Sequence, residues 1–246
     1  MRLYQGLFLW VFAGLISCRT TYTPARVNFV QQDVQQSFID SSLIIMLRPY
    51  KDSLDKSMNH IIATLDQDLE KKMPEGTLGN MMADAMMVQA GKVFGIKPDL
   101  ALMNAGGIRL PAIKAGNVTL GKIYELHPFD NKLVMLRISG ETLRQLLDLT
   151  ASRGGWPLAG GRITIKNKQA INILIQGLPL DLNVNYWIAL SDYVASGGDD
   201  ADMLKGFKLE QKDYLIRTAI IDYLSGLQKI GQSYEIGSEK RVQYAE

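Results

Sequence analysis

Apolar positions along the chain recur with two different periods, and those periods predict its elements. From Ser41 to Met58 they fall near every 3.6 residues, at Leu43, Ile44, Leu47, Leu54 and Met58, which predicts a helix. Asn59 to Asp66 reads as a strand. Pro74 and Gly76 mark a turn, and Thr77 is placed to cap a helix. That helix carries Leu78, Met81, Met82, Ala85, Met86 and Val93 along one broad side and ends at Gly95. Its methionines read as core. Asp99–Met103 is a strand, Val118–Leu120 and Tyr124–Phe129 are short extended pieces, and Lys132–Ile138 is a strand. Ser139 caps the helix that follows, with Glu141 in its first turn. The segment after the GGWPLAGG loop alternates as a hairpin turning at Lys166–Lys168. Tyr186–Leu190 is a strand, Tyr214–Leu227 a helix, and Val242–Tyr244 a last strand. With no internal repeat and no linker after residue 40, the pattern describes one α+β domain over residues 41–246.

The segment before residue 41 has a different character. Arg2 is followed by an apolar run from Leu7 to Ile16 and then by Ser17-Cys18. The run is too short to span a membrane as a helix and has the form of a signal peptide. Leu15-Ile16-Ser17-Cys18 also resembles the bacterial lipobox, in which the cysteine becomes the lipidated first residue. The alternative is an ordinary signal peptide with an incidental cysteine. Cys18 is the single cysteine of the sequence, so no disulfide forms within the chain. The expectation is a signal peptide over residues 1–17 and a polar lipidated tether over 18–40, with a short element near Val27–Val30. The protein would then be held by lipid at a membrane of the bacterial envelope. With 27 basic and 25 acidic side chains and no basic block, the charge provides no footprint for nucleic acid.

Chemistry gathers in three loops of similar make-up: MNAGGIR (103–109), HPFDN (127–131) and SDYVASGGDD (191–200). Their glycines let backbone approach a ligand and present N–H groups. Arg109 offers a planar fork for phosphate or carboxylate. Phe129 and Tyr193 offer ring faces. Asn104, Asn131, Asp192 and Asp199 offer hydrogen bonds at fixed positions. Together these would suit a flat base, a sugar and a phosphate. Taken singly, each loop is also explained by an ordinary turn, cap or core aromatic.

Three stretches, GTLGNMMADAM (76–86), the run from MNAGGIRLP to LLD (103–148) and YWIALSDYVASGGDD (186–200), resemble the C-terminal, substrate-binding domain of the 5′-nucleotidase and 2′,3′-cyclic phosphodiesterase family. Their order and spacing agree with it as well, and the resemblance runs from about Asp40 to the end. It implies that Phe129 and Tyr193 clamp a nucleobase, with Tyr193 standing where Phe is usual. By the same carry-over Asn104 and Asn131 lie at the base, Asp199 holds the ribose hydroxyls, and Arg109 holds the phosphate. Gly106, Gly107, Gly197 and Gly198 would shape the loops. One departure is the PEGTLGN segment, which lacks an arginine that family members often carry nearby. Phosphate capture would then rest on Arg109, and nucleosides would bind nearly as well as nucleotides. One base–aromatic stack contributes about 1–3 kcal/mol and a charge-assisted hydrogen bond about 1.5–3 kcal/mol. Less the cost of immobilising the ligand, affinity falls on the order of micromolar to millimolar.

The chemistry of that family resides in a separate domain, where two metal ions bound by Asp, His and Asn activate water. These 246 residues contain neither a D-x-H nor a G-N-H-[DE] signature, and only two histidines, His60 and His127, both read as structural. A G-x-S-x-G nucleophile and a P-loop are absent too. No cofactor or metal is therefore expected in this chain, and divalent metals would belong to a partner metallophosphatase. Three functions remain open at this point. The chain would be the nucleotide- or nucleoside-holding part of a split hydrolase, a non-catalytic nucleoside- or nucleotide-binding lipoprotein, or a structural lipoprotein whose site is lost.

Overall fold

The computed structural model describes residues 41–237 and 240–245. The signal segment, Cys18, the tether and the element expected near Val27–Val30 lie outside the described residues. The chain divides after Met46 into two compact units, and the loops of interest all belong to the second, Leu47–Glu246. Helix α1, Ser41–Met58, has the predicted bounds but buries none of its residues. Among the described residues no helix is long and apolar enough to cross a membrane.

The centre is a five-stranded mixed sheet in the order β12-β6-β11-β3-β7. Its strands are β3 (Leu100–Leu102), β6 (Lys132–Ser139), β7 (Leu158–Ala159), β11 (Asn185–Ser191), which runs on into the one-turn helix α5 (Asp192–Ala195), and β12 (Leu209–Leu215). β11 runs parallel to β3 and antiparallel to β6. Both faces are covered, so alternate side chains enter different cores. Leu133 and Met135 of β6, with Ala101 and Ala189, pack against Met81, Met82 and Met86 of α2 (Thr77–Phe94) and Ile216, Ala219, Ile220 and Leu224 of α6 (Ile216–Lys229). Val134, Leu136 and Ile138, with Leu100, Leu102, Ile188 and Leu190, pack against Leu143, Leu146 and Leu147 of α4 (Gly140–Ser152) and against a second sheet. That sheet is ordered β10-β9-β8-β13 and holds the hairpin of β8 (Gly161–Lys166) and β9 (Gln169–Ile175), with the short β10 (Leu178–Pro179) at its edge. The predicted hairpin turn is present, with Asn167 and Lys168 both at positive φ, 51° and 63°. That is the conformation a two-residue turn needs to match strand twist. β13 (Val242–Tyr244) pairs in parallel with β8. Smaller ribbons pair β1 (Ile61–Leu65) with β5 (Gly116–Thr119), and β2 (Leu69–Glu70) with β4 (Ala112–Ile113).

The structure departs from the sequence reading in several places. Tyr124–Phe129 is not extended. Leu120–Leu126 forms helix α3, because Thr119 caps it by accepting from the Lys122 N–H and because Ile123 and Leu126, three apart, share its buried side. Thr77 does not cap α2. Its hydroxyl accepts the Glu70 N–H at 2.8 Å, and Gly76 occupies the cap position without a side-chain bond. Only glycine fits there, since a Cβ would lie 2.3 Å from the Lys72 nitrogen. The helix expected from Tyr214 begins at Ile216, and Tyr214 and Leu215 end strand β12, which the pattern did not reveal. β12 is an edge strand whose middle residues, Gln211, Lys212 and Asp213, are exposed, so it lacks the alternation of a half-buried strand. His60 is exposed and lies just before β1 rather than in it.

A pocket at one edge of the central sheet

Strand direction brings the three loops together. β3 and β11 are parallel neighbours, so MNAGGIR and SDYVASGGDD leave the same edge of the sheet. β6 runs the other way, with Ser191 paired to Leu133, so HPFDN enters at that edge. A crevice outside the carboxyl ends of neighbouring parallel strands is where open α/β sheets hold ligands. Here an open pocket of about 350 Å³ is lined by Asn104, Gly106, Gly107, Arg109, Phe129, Asn131, Tyr193 and Asp199. Of the residues singled out in the three loops, Asp192, Gly197 and Gly198 are not part of its lining.

The wall is held by bonds between residues far apart in sequence. Asn104, buried, donates from Nδ2 to Asp199 Oδ2 at 2.7 Å, and its Oδ1 is buried without a hydrogen-bond partner. Tyr193 donates its hydroxyl to Asp199 Oδ1 at 3.3 Å and accepts the Asp199 N–H, also at 3.3 Å. Asp199 lies at φ 53°, ψ 39°, a left-handed conformation that Asp tolerates better than most residues. Gly197, at φ 94°, turns the chain into it. Gly198 gives way to the Tyr193 ring, because a Cβ would lie 2.5 Å from Tyr193 Cζ. Arg153, at the end of α4, forms an ion pair with Asp200 that ties the turn to the body of the protein. Asp192, outside the pocket lining, accepts the backbone N–H groups of Lys132 and Tyr193 and so joins the start of β6 to the end of β11.

On the opposite side, the Arg109 guanidinium lies 5.4 Å from the centre of the Phe129 ring. Arg109 is exposed at the rim and holds only a long contact to Gly106 O, 3.4 Å, so it keeps donors for an anion. His127 is fully buried. It meets Phe129 edge-on, with ring centres 5.4 Å apart, and its Nδ1 lies 2.8 Å from Gly107 O. Burial pushes the His127 pKa below its ordinary value and the nearby Arg217 charge adds to this, while the Gly107 bond opposes it. The neutral ring donating from Nδ1 is the form this setting favours.

Two cations that the sequence reading missed brace these loops. Arg217, in the first turn of α6, donates to the carbonyls of His127 and Phe129 and to Asp130 Oδ1 at 2.7 Å, and its guanidinium lies 4.1 Å from the Tyr124 ring centre. Lys71 donates to Ala105 O at 3.0 Å and Ile108 O at 2.8 Å. Neither carried a local signal, since each acts on a loop more than 30 residues away in sequence. Among the described residues no group of three or more His, Cys, Asp or Glu is placed to hold a metal ion.

The family described as 5′-nucleotidase, C-terminal domain, matches residues 60–206, which include all three loops. The chain belongs to this family. A 5′-nucleotidase of Vibrio vulnificus is 29% identical over 188 residues, covering 72% of this chain and 32% of the relative. A 5′-nucleotidase of Vibrio parahaemolyticus is 30% identical over 181 residues, covering 70% of this chain and 30% of the relative. The crystal structure of a 5′-nucleotidase precursor from Thermus thermophilus superposes with a TM-score of 0.71 at 25% identity, over 80% of this chain and 42% of that one. The chain thus spans about a third of the length of the curated relatives it matches.

Proposed function

We propose that this domain binds a nucleotide or nucleoside in the pocket between its three loops. We propose further that it serves as the substrate-holding part of a 5′-nucleotidase-type hydrolase whose metallophosphatase is a separate chain. The observation that carries the reading is the meeting of the Phe129 and Tyr193 rings, the Asp199 carboxylate and the Arg109 guanidinium in one pocket. Rings suit a base, the carboxylate suits sugar hydroxyls, and the exposed guanidinium suits a phosphate. A volume of about 350 Å³ falls at the small end of ligand pockets. Divalent metals would be held by the partner, and this chain would orient the substrate. The lipobox-like Cys18 supports placing the assembly at the bacterial envelope by a lipid anchor.

The test is reconstitution. A separately produced metallophosphatase domain of the same family is mixed with the protein, AMP and a divalent metal, and phosphate release is followed. Release well above that of the domain alone, lost on Phe129→Ala, supports the split hydrolase. Equal release with and without this chain would leave a binding protein without a catalytic role.

A further inference from the structure

Tyr193 offers the pocket more than a ring. Its hydroxyl and Asp199 form a closed pair: the tyrosine O–H donates to Oδ1 and the tyrosine oxygen accepts the Asp199 N–H, each at 3.3 Å. The other carboxylate oxygen is already engaged by Asn104 at 2.7 Å. Before any ligand arrives, both oxygens of Asp199 therefore have donors from within the chain.

A phenol hydroxyl and a sugar hydroxyl are alike in hydrogen bonding, each able to donate once and to accept. We infer that the Tyr193 hydroxyl stands in for one sugar hydroxyl at Asp199, making the pocket tolerant of sugars that lack one. This rests on the pocket being a nucleoside or nucleotide site. Full capture of a vicinal diol uses both carboxylate oxygens. The short Asn104 bond keeps Oδ2 committed to the wall, so a ribose would reach Asp199 chiefly at Oδ1, where the Tyr193 hydroxyl stands. A ribose competes with Tyr193 for Oδ1 and the Asp199 N–H, so its second hydroxyl adds little net affinity. A 2′-deoxyribose leaves the internal pair intact and loses little. Tyr193 is thus a specificity-determining residue, relaxing the demand for ribose.

The variant Tyr193→Phe keeps the ring and removes only the competing group. Calorimetric titration of the protein and of this variant with adenosine and with 2′-deoxyadenosine reads the effect, with thermal melting to verify that the variant is folded. The unsubstituted protein is expected to bind the two nucleosides within about threefold of each other. In Tyr193→Phe the preference for adenosine is expected to widen to about tenfold or more, the worth of one hydrogen bond to a charged group. An unchanged ratio in the variant, or a tenfold preference already present in the unsubstituted protein, would overturn the inference while leaving the pocket's ligand class intact. Absence of binding by either nucleoside in both proteins would overturn the inference together with the ligand class on which it rests.

Discussion

The Nδ1 of buried His127 lies 2.8 Å from the carbonyl oxygen of Gly107 and fastens the Phe129 loop to the Arg109 loop. A Cβ on residue 107 would lie 2.3 Å from Met103 Cε, the movable end of that side chain, and 3.1 Å from Asn104 Oδ1, so the small residue leaves room for the Asn104 amide beside this contact. The bond has a consequence for pH. The folded-state pKa of His127 is lowered, chiefly by burial, whereas in the unfolded chain it returns to about 6.5. On acidification the unfolded chain takes the proton first. The contribution of His127 to stability is therefore complete above pH 6.5 or so and is lost as the pH falls from there toward the folded-state value. Thermal melts between pH 8 and 5 should show this loss, at up to about 1.4 kcal/mol per pH unit. His127→Asn, which cannot titrate, should lack that component, and an unchanged slope in the variant would contradict the assignment.

Arg217 should matter more to the pocket than its distance in sequence suggests. Arg217→Met keeps the stem but removes the donors to His127, Phe129 and Asp130. Denaturant unfolding should show a loss of about 2 kcal/mol, because buried carbonyls are left without partners. Asp130→Asn is the contrast. The Asp130 side chain is 81% exposed, so its loss should cost less than about 1 kcal/mol.

Two glycines should respond in opposite directions to alanine. Gly198→Ala places a Cβ 2.5 Å from Tyr193 Cζ and 2.6 Å from the Tyr193 carbonyl oxygen. Neither can yield without moving the ring, and adenosine affinity should fall at least about tenfold, with a stability cost of about 1–3 kcal/mol. Gly226, inside α6, has nothing within 4 Å of its Cβ position. Gly226→Ala should stabilise the protein by about 0.5–1 kcal/mol through helix propensity alone and leave binding unchanged.

Arg109 should separate nucleotides from nucleosides. Arg109→Ala should weaken AMP about tenfold or more, the loss of a charge-assisted contact, while adenosine changes within about twofold. Equal weakening of both ligands would mean that Arg109 acts on the ring of Phe129, over which it lies, and not on phosphate.

How legible the fold was in the sequence depended on how local each cause was. The strand before Asn104, the β6 strand, the Ser139 cap, which accepts the Thr142 N–H at 3.2 Å, and the Asn167–Lys168 turn all rest on neighbouring residues, and the residues showed them. Helix α3 was hidden because it has only 7 residues, and Tyr124 within it, followed by the HPFDN loop, read as the start of an extended piece. β12 was hidden because an edge strand with exposed charge has no periodic pattern. The pocket's composition was readable because each loop carries its own glycines, rings and polar groups. What ties the loops to one another was not, since the Asn104–Asp199 bond joins residues 95 apart and the Arg217–Asp130 pair residues 87 apart. Such pairings follow from strand order, which no local pattern encodes.

The most direct test of the central claim is calorimetric titration of the protein with adenosine and AMP, alongside the variant Phe129→Ala. Saturable binding in the micromolar to millimolar range, weakened about tenfold or more when the ring is removed, is the predicted result. Failure of both ligands to bind, or binding that Phe129→Ala leaves unchanged, would contradict a nucleotide or nucleoside site between these loops.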